Sequence, residues 1–586
     1  MRTMLIGSVL AFIALPVCAQ TMQHNSDVCA GSDSAASIPA CTALIQSGRE
    51  SNADLADDYF NRGVSYQAKG LVDLAIADFT QAITLKPRDF DSYINRGAAY
   101  QAKGLNDQAI ADYTQAIAIN PKGVLAFIDR GAAYQVKGLN DQAIADYTQA
   151  ISLDLRSVPA YVNRGIAYKA KGLLDQAIAD YTLAIALDPR QVGAYIKRGR
   201  AYEAKGVDDR AIADYTHAIA LDPHSEEAYG RRSDLYVREK LFDLSIADLT
   251  QMISIDPRNA KYYVARGYTN ALKGLVDQAI ADETQAIALD SHLSRAYYIR
   301  GGALGGKHLN DQAIADLSQS IKLDPKFIGA LLRRGNIYFA TGLADKAESD
   351  YANAIDIYAH STDRDPGVAE VYFRMGLLHE GRSAIDRAIS DYTNAISVNA
   401  KVADAHFQLG NLYFSKALFD QSIAEYTMAL QINPKDDISQ SNRCSAYSAK
   451  GLLDQAIADC TQAIAQNRAS FSAYISRSHA YVRKGLYDKA IADSTQAIAI
   501  DPANPSAHNT RAWAYHLKGQ DELGLMDAEA AVKLAPRNAP TIETRAEIYE
   551  RLGRRDAAVT DYRLALTISP NRASAEAGLK RLGAVP

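Results

Sequence analysis

Basic runs are missing from this sequence. Lys and Arg number 63 against 68 Asp and Glu, for a net charge of −5, and they are spread rather than clustered. Phosphate backbones are gripped by concentrated Lys and Arg, so nucleic acid is not expected as the main partner. Metal-ligand spacing is missing too. The eleven histidines are scattered and form no His-Glu-x-x-His pair. No Gly-rich loop runs into Lys-Ser/Thr, which excludes a P-loop, and no Gly-x-Ser-x-Gly elbow occurs. A cofactor and catalysis are therefore not expected. After residue 19 no apolar stretch is long enough to span a bilayer. Cysteine is scarce, with five in 586 residues.

The N-terminus has the pattern of a secretory signal over residues 1–19. Arg2 is its basic end, Leu5 to Leu15 its apolar stretch and Val17-Cys18-Ala19 its small-residue cleavage site. The expectation is an exported protein, periplasmic or secreted. A competing reading is lipid anchoring at Cys18, although Val17 stands where that motif wants a small residue. Cleavage at Ala19 leaves Cys29, Cys41, Cys444 and Cys460. An even number in an exported chain points to disulfides, and a Cys29–Cys41 clip is the simplest pairing.

What the chain has in abundance is repetition. The stretch Asn95 to Pro121 returns with small changes every 34 residues, a period that marks helix–turn–helix solenoids. With Gly97 as position 8, large residues Tyr93, Tyr100 and Tyr113 fall at positions 4, 11 and 24. Small residues Gly97, Ala109 and Ala116 fall at 8, 20 and 27. This alternation suits two closely packed helices. Gly104 suits a left-handed helix end, Asp107 is placed to N-cap the second helix, and Pro121 stops it.

These positions resemble the tetratricopeptide repeat (TPR) family over nearly the whole chain after residue 19. The resemblance implies an all-α, right-handed α-solenoid (superhelix) of about fifteen repeats with capping helices at both ends. Residues 20–55 form a leader with a capping half-repeat (Ile38 to Ser47). Repeats 1–9 fill 56–361, an insertion occupies 362–368, repeats 10–15 fill 369–572, and 573–586 form the C-terminal capping helix. One unit cannot bury its own apolar face, so the units must stack. The insertion is expected to lengthen the second helix of repeat 9, or to form a loop closed by Pro366-Gly367. In repeat 12, Cys444 and Cys460 stand at positions 8 and 24, which face each other. They read equally as a bridge or as two reduced core cysteines.

Of 34 tyrosines, 29 fall at packing positions 4, 11 or 24. Arg stands at position 7 in thirteen of fifteen repeats, and position 23 is acidic in all fifteen. The pattern reads as an ion-pair ladder, each pair worth about 0–1 kcal/mol if exposed. Met375 and Leu409 replace the Arg in repeats 10 and 11, which leaves Asp391 and Glu425 without that partner.

Contact candidates lie on the first helices, which line the concave face in the family. Asn61, Asn95, Asn163 and Asn442 occupy position 6. In the TPR array of O-linked N-acetylglucosamine transferases, which these repeats resemble, asparagines there hold a peptide backbone. Lys197, Arg231, Arg333 and Arg374 take the same position in other repeats and would favour an acidic segment or a terminal carboxylate. Tyr268 and Tyr298 form an aromatic pair beside the Gly301–Gly306 run, which reads as a flexible break. The expected function is a non-catalytic scaffold that binds a peptide or protein in the groove. Alternatives are a structural or assembly protein of the cell envelope, acting by self-association, or a small-ligand receptor or enzyme. Specificity is expected where the copies fail, in repeats 7 to 11.

Overall fold

In the computed structural model, residues 25–48, 50–361 and 367–585 are described. Residues 1–19, where a secretory signal is expected, Cys18 among them, and most of the insertion lie outside them. The chain divides into two units, residues 1–291 and 292–586. Each is an α-solenoid of antiparallel helix pairs. The first holds seven pairs, from Asn52–Ala68 with Val72–Leu85 to Ala260–Lys273 with Val276–Leu289. The second holds eight, from Ser294–Gly306 with Asn310–Leu323 to Ala539–Arg551 with Arg555–Ile568. The first helix of a repeat is termed A, the second B.

Repeat 2 shows why this sequence makes a hairpin of helices. Helix A, Phe90–Ala102, starts at Asp89, whose carboxylate accepts from the Ser92 amide at 3.0 Å. It ends in a Schellman motif. Gly104 takes φ +74°, and the Leu105 amide returns to the Tyr100 carbonyl at 2.9 Å. Helix B, Asn106–Ile119, then packs back on A. A Cβ on Gly97 would stand 2.7 Å from Tyr113 Cε1, so only glycine admits the fully buried ring. Pro121 follows just after the helix B C-cap, Asn120.

Asp107 does not N-cap helix B. The cap is Leu105, with no side-chain bond, because the Schellman turn already sets the chain direction. Asp107 lies in the first turn and pairs with Lys137 of the next repeat. Equivalent pairs recur, such as Asp73–Lys103 and Asp488–Lys518, both at 2.5 Å. The aspartates are exposed, so this outer ladder contributes little stability per pair.

The inner ladder is not exposed. Thirteen position-7 arginines grip the position-23 aspartate of their own repeat. In repeat 2, Arg96 Nε and Nη2 donate to the two Asp112 oxygens at 2.8 and 2.7 Å. Its Nη1 reaches Thr80 of the preceding repeat at 3.1 Å. Asp112 is only 5% exposed. One guanidinium thus ties its own helix pair together and fixes the register to the neighbour.

At the N-terminal end, helix Ser34–Ser47 packs on repeat 1, and Thr42 accepts from Arg62 as a helix B threonine would. The Sγ atoms of Cys29 and Cys41 are at bonding distance, their Cα atoms 4.8 Å apart. Cys444 and Cys460 are likewise joined, with Cα atoms 5.5 Å apart, in place of the Gly–Tyr contact of other repeats. Helix Ala573–Arg581 covers the last repeat. Helix B of repeat 9, Ala344–Ala359, has 16 residues against the usual 14.

The Gly301–Gly306 run is not a break. It lies within the continuous helix Ser294–Gly306. Gly301 lies under Leu317, and a Cβ on Gly302 would collide with the Arg333 guanidinium. Two of the glycines therefore make room for neighbours.

Candidate interaction face

The A helices carry the contact candidates, and the structure gives each a particular setting. Asn61 and Asn163 are half-buried with no side-chain hydrogen bond among the described residues. Asn95 instead donates to the Asp91 carbonyl of its own helix at 2.9 Å, and Asn442 donates to Asn411 at 3.0 Å. Arg374 is held by Glu370 at 2.7 Å. Tyr268 is 37% exposed on the last A helix of the first unit. Tyr298, in the second unit, packs on Phe327 with ring centroids 4.6 Å apart, and Arg333 lies over its ring at 4.5 Å. Tyr298 and Arg333 thus form one local stack.

In the first unit, Lys197 and Arg231 join two cations that sequence reasoning did not single out. Lys169 and Arg200 project from the A helices of repeats 4 and 5. Burial lowers the Lys169 pKa, and nearby Arg200 and Arg231 lower it further. Glu227 pairs with Arg200 at 3.3 Å and Glu203 lies 3.8 Å from Arg231. Neither Lys169 nor Lys197 forms a salt bridge among the described residues, although the Glu203 carboxylate acts on Lys169 and offsets part of the repulsion. An anion arriving here would relieve like-charge repulsion.

One position-6 residue of the same unit is acidic. Asp129 sits where Asn95 and Asn163 flank it in sequence, and burial pushes its carboxyl up to about 6. A raised carboxyl pKa contributes stability that is present below the unfolded value and lost as pH rises through the folded one. Asp129→Asn should therefore stabilise repeat 3 by about 1–2 kcal/mol at pH 7.5, the gain vanishing near pH 4. Amide exchange of helix Val124–Val136 at the two pH values checks this. An equal gain at both would contradict it.

In the second unit a cavity of about 600 Å³ opens on the A helices of repeats 11 to 14. Its walls are Phe414, Ile475, Val482 and Trp513, the only tryptophan of the chain. Serines at successive turns make the floor. Ser445 and Ser476 bond each other across repeats at 2.7 Å, and the A helices meet there without bulky side chains. His479 Nε2 bonds Thr510 at 2.8 Å. His479 is exposed as a residue, yet the helices packed beside its ring lower its pKa by desolvation. Trp513 stacks on His516 at 5.2 Å. The Cys444–Cys460 bridge lies beside Ser445 and fixes the helix that carries the floor.

This cavity was not anticipated. It shares only repeat 11 with the segment where specificity was expected. Its sequence signal was a tryptophan at position 9, with small residues at groove positions of the two preceding repeats.

In repeats 10 and 11, where the position-7 arginine is absent, histidines take its place: His379 Nδ1 meets Asp391 at 2.6 Å, and His406 Nδ1 meets Glu425 at 2.6 Å. The histidines come from positions 11 and 4, where other repeats have aromatics, so the rung is closed from the side rather than from position 7.

Among solved structures the chain is similar to MamA (26% identity, 29% of this chain, 92% of that one, TM-score 0.27). It is also similar to a tetratricopeptide repeat protein from Parabacteroides merdae ATCC 43184 (18% identity, 44% and 98%, TM-score 0.38). A third is a thermophilic TPR protein from Thermus thermophilus, TTC0263 (21% identity, 31% and 98%, TM-score 0.29). No curated protein matches the chain at significant similarity. Tetratricopeptide repeat models match residues 90–122, 158–191, 59–89, 192–225, 540–572, 300–367 and 373–437, and a TPR repeat model matches 478–519. These segments make up more than half of the sequence, and the chain belongs to the tetratricopeptide repeat family.

Proposed function

We propose that this chain is a non-catalytic scaffold that binds an extended segment of a partner protein along its A helices. The observation that carries this reading is the cavity, whose lining residues all project from A helices. Asn61 and Asn163 offer amides for backbone contact, and the cluster around Lys169 and Lys197 favours an acidic stretch. The two cysteine pairs suit an oxidising compartment, in keeping with export. No described helix is long and apolar enough to cross a membrane.

Photo-crosslinking in cells tests it. A photoreactive residue at Ser476, on helix A of repeat 13, is expected to give discrete protein adducts. The same group at exposed Gln462, on helix B of repeat 12, is expected to give none. Adducts from Gln462 alone, or from neither site, would overturn the reading.

A further inference from the structure

The cavity in repeats 11 to 14 has a chemistry more specific than an apolar hollow. Arg483 stands on its rim at position 13 of its repeat. Two other repeats have arginine there, and both pair with an aspartate thirty residues earlier. Arg238 reaches Asp208 at 3.5 Å and Arg551 reaches Asp521 at 3.3 Å. The matching residue for Arg483 is Leu453. Among the described residues, Arg483 has no carboxylate partner, and its guanidinium donates only to the Ser448 carbonyl. No acidic residue lines the cavity. Arg483, which keeps its charge at any ordinary pH, is the cation that an arriving anion would meet.

We propose that this cavity anchors a two-residue element of the bound segment: an aromatic side chain followed by an aspartate or glutamate. The aromatic ring enters beside Trp513, over the serine floor. The carboxylate pairs with Arg483 and replaces the aspartate that Leu453 displaced. The A-helix face continues into repeats 10 and 15, so the segment need not end here. The proposal rests on the scaffold reading above and adds what the anchor must be.

The single tryptophan makes occupancy directly measurable. The probe is a blocked peptide, acetyl-Gly-Ser-Phe-Asp-Ser-Gly-amide, titrated into the full chain while Trp513 emission is recorded. A saturable change in emission is expected. Aspartate replaced by asparagine in the peptide should weaken binding roughly tenfold, the scale of a charge-assisted contact. Phenylalanine replaced by alanine should abolish it. Arg483→Met should remove the preference for aspartate over asparagine while the phenylalanine dependence stays. Arg483 is exposed, so this variant is expected to keep the helical circular dichroism of the parent.

No saturable change up to millimolar peptide overturns the proposal, as does an aspartate preference that survives Arg483→Met. Tighter binding of an unblocked peptide ending in phenylalanine also overturns it, because the carboxylate would then be a chain terminus. Failure here with Ser476 adducts intact leaves the scaffold reading standing and removes only the anchor.

Discussion

Replacing Arg164 with methionine should destabilise repeat 4 and its junction with repeat 3 by about 3–5 kcal/mol. Arg164 Nε and Nη2 each donate to Asp180 at 2.8 Å, and Nη1 donates to Thr148 of the preceding repeat at 3.1 Å. Tyr161 and Tyr168 flank the guanidinium at 5.7 and 5.8 Å. The Asp180 side chain is 5% exposed. Methionine fills much of the arginine's volume, so the loss is mainly electrostatic: Asp180 is left as a desolvated charge without a counterion. The bond to Asp180 also holds the Arg164 pKa above the ordinary guanidinium range. A raised basic pKa supports folding at every pH below the unfolded value, so this rung should be indifferent to pH across the neutral range.

A solenoid of fifteen repeats need not unfold in one step, so the measurement is local. Amide exchange in helices Val158–Ala170 and Leu174–Leu187 reports the loss directly. Adding Asp180→Leu to the methionine variant should restore most of it, since a buried pair replaced by apolar groups is often neutral. A single-variant cost under about 1 kcal/mol would return the ladder to the class of exposed surface pairs.

The arginine ladder shows what a repeat sequence makes legible. Arg164 and Asp180 are 16 residues apart, as are their counterparts in every copy that carries the arginine, so sequence phase alone places them together. The same holds for Cys444 and Cys460, and for Gly97 beneath Tyr113. Burial was not legible, because it depends on how far the neighbouring repeat covers the pair. The Asp107–Lys137 contact was missed because it joins different repeats and because the Schellman turn had already replaced the cap that Asp107 was expected to form. The glycines at 301 and 302 read as part of a flexible break, yet their low helix propensity is outweighed by what packs against them, Leu317 and Arg333. The cavity is the hardest case. Its floor is made of serines that carry no motif, contributed by successive helices, and only coordinates show that nothing fills the space above them.

The rung of repeat 10 should behave oppositely to that of repeat 4 with pH. Met375 takes the arginine position, and His379 closes on Asp391 from the side at 2.6 Å. Burial raises the Asp391 pKa, and the bond to His379 pulls it partly back. Removing the imidazole by His379→Leu should therefore raise the Asp391 pKa further. A raised carboxyl pKa gives stability that is complete below the unfolded value and lost as pH rises through the folded one. The variant should accordingly cost about 2–3 kcal/mol near pH 7.5, where a nearly buried carboxylate is left unpaired. Near pH 4 the cost should shrink to the small packing difference between the two side chains. Exchange rates in helices Val368–Gly381 and Ile385–Val398, followed against pH for parent and variant, test the sign. Adding Asp391→Asn to the leucine variant should flatten the profile, since it removes the group that titrates. A cost that grows towards acid pH would mean that the imidazolium, not Asp391, dominates the rung. A restored arginine, Met375→Arg, should make repeat 10 as insensitive to neutral pH as repeat 4, because a guanidinium beside Asp391 keeps its charge across that range.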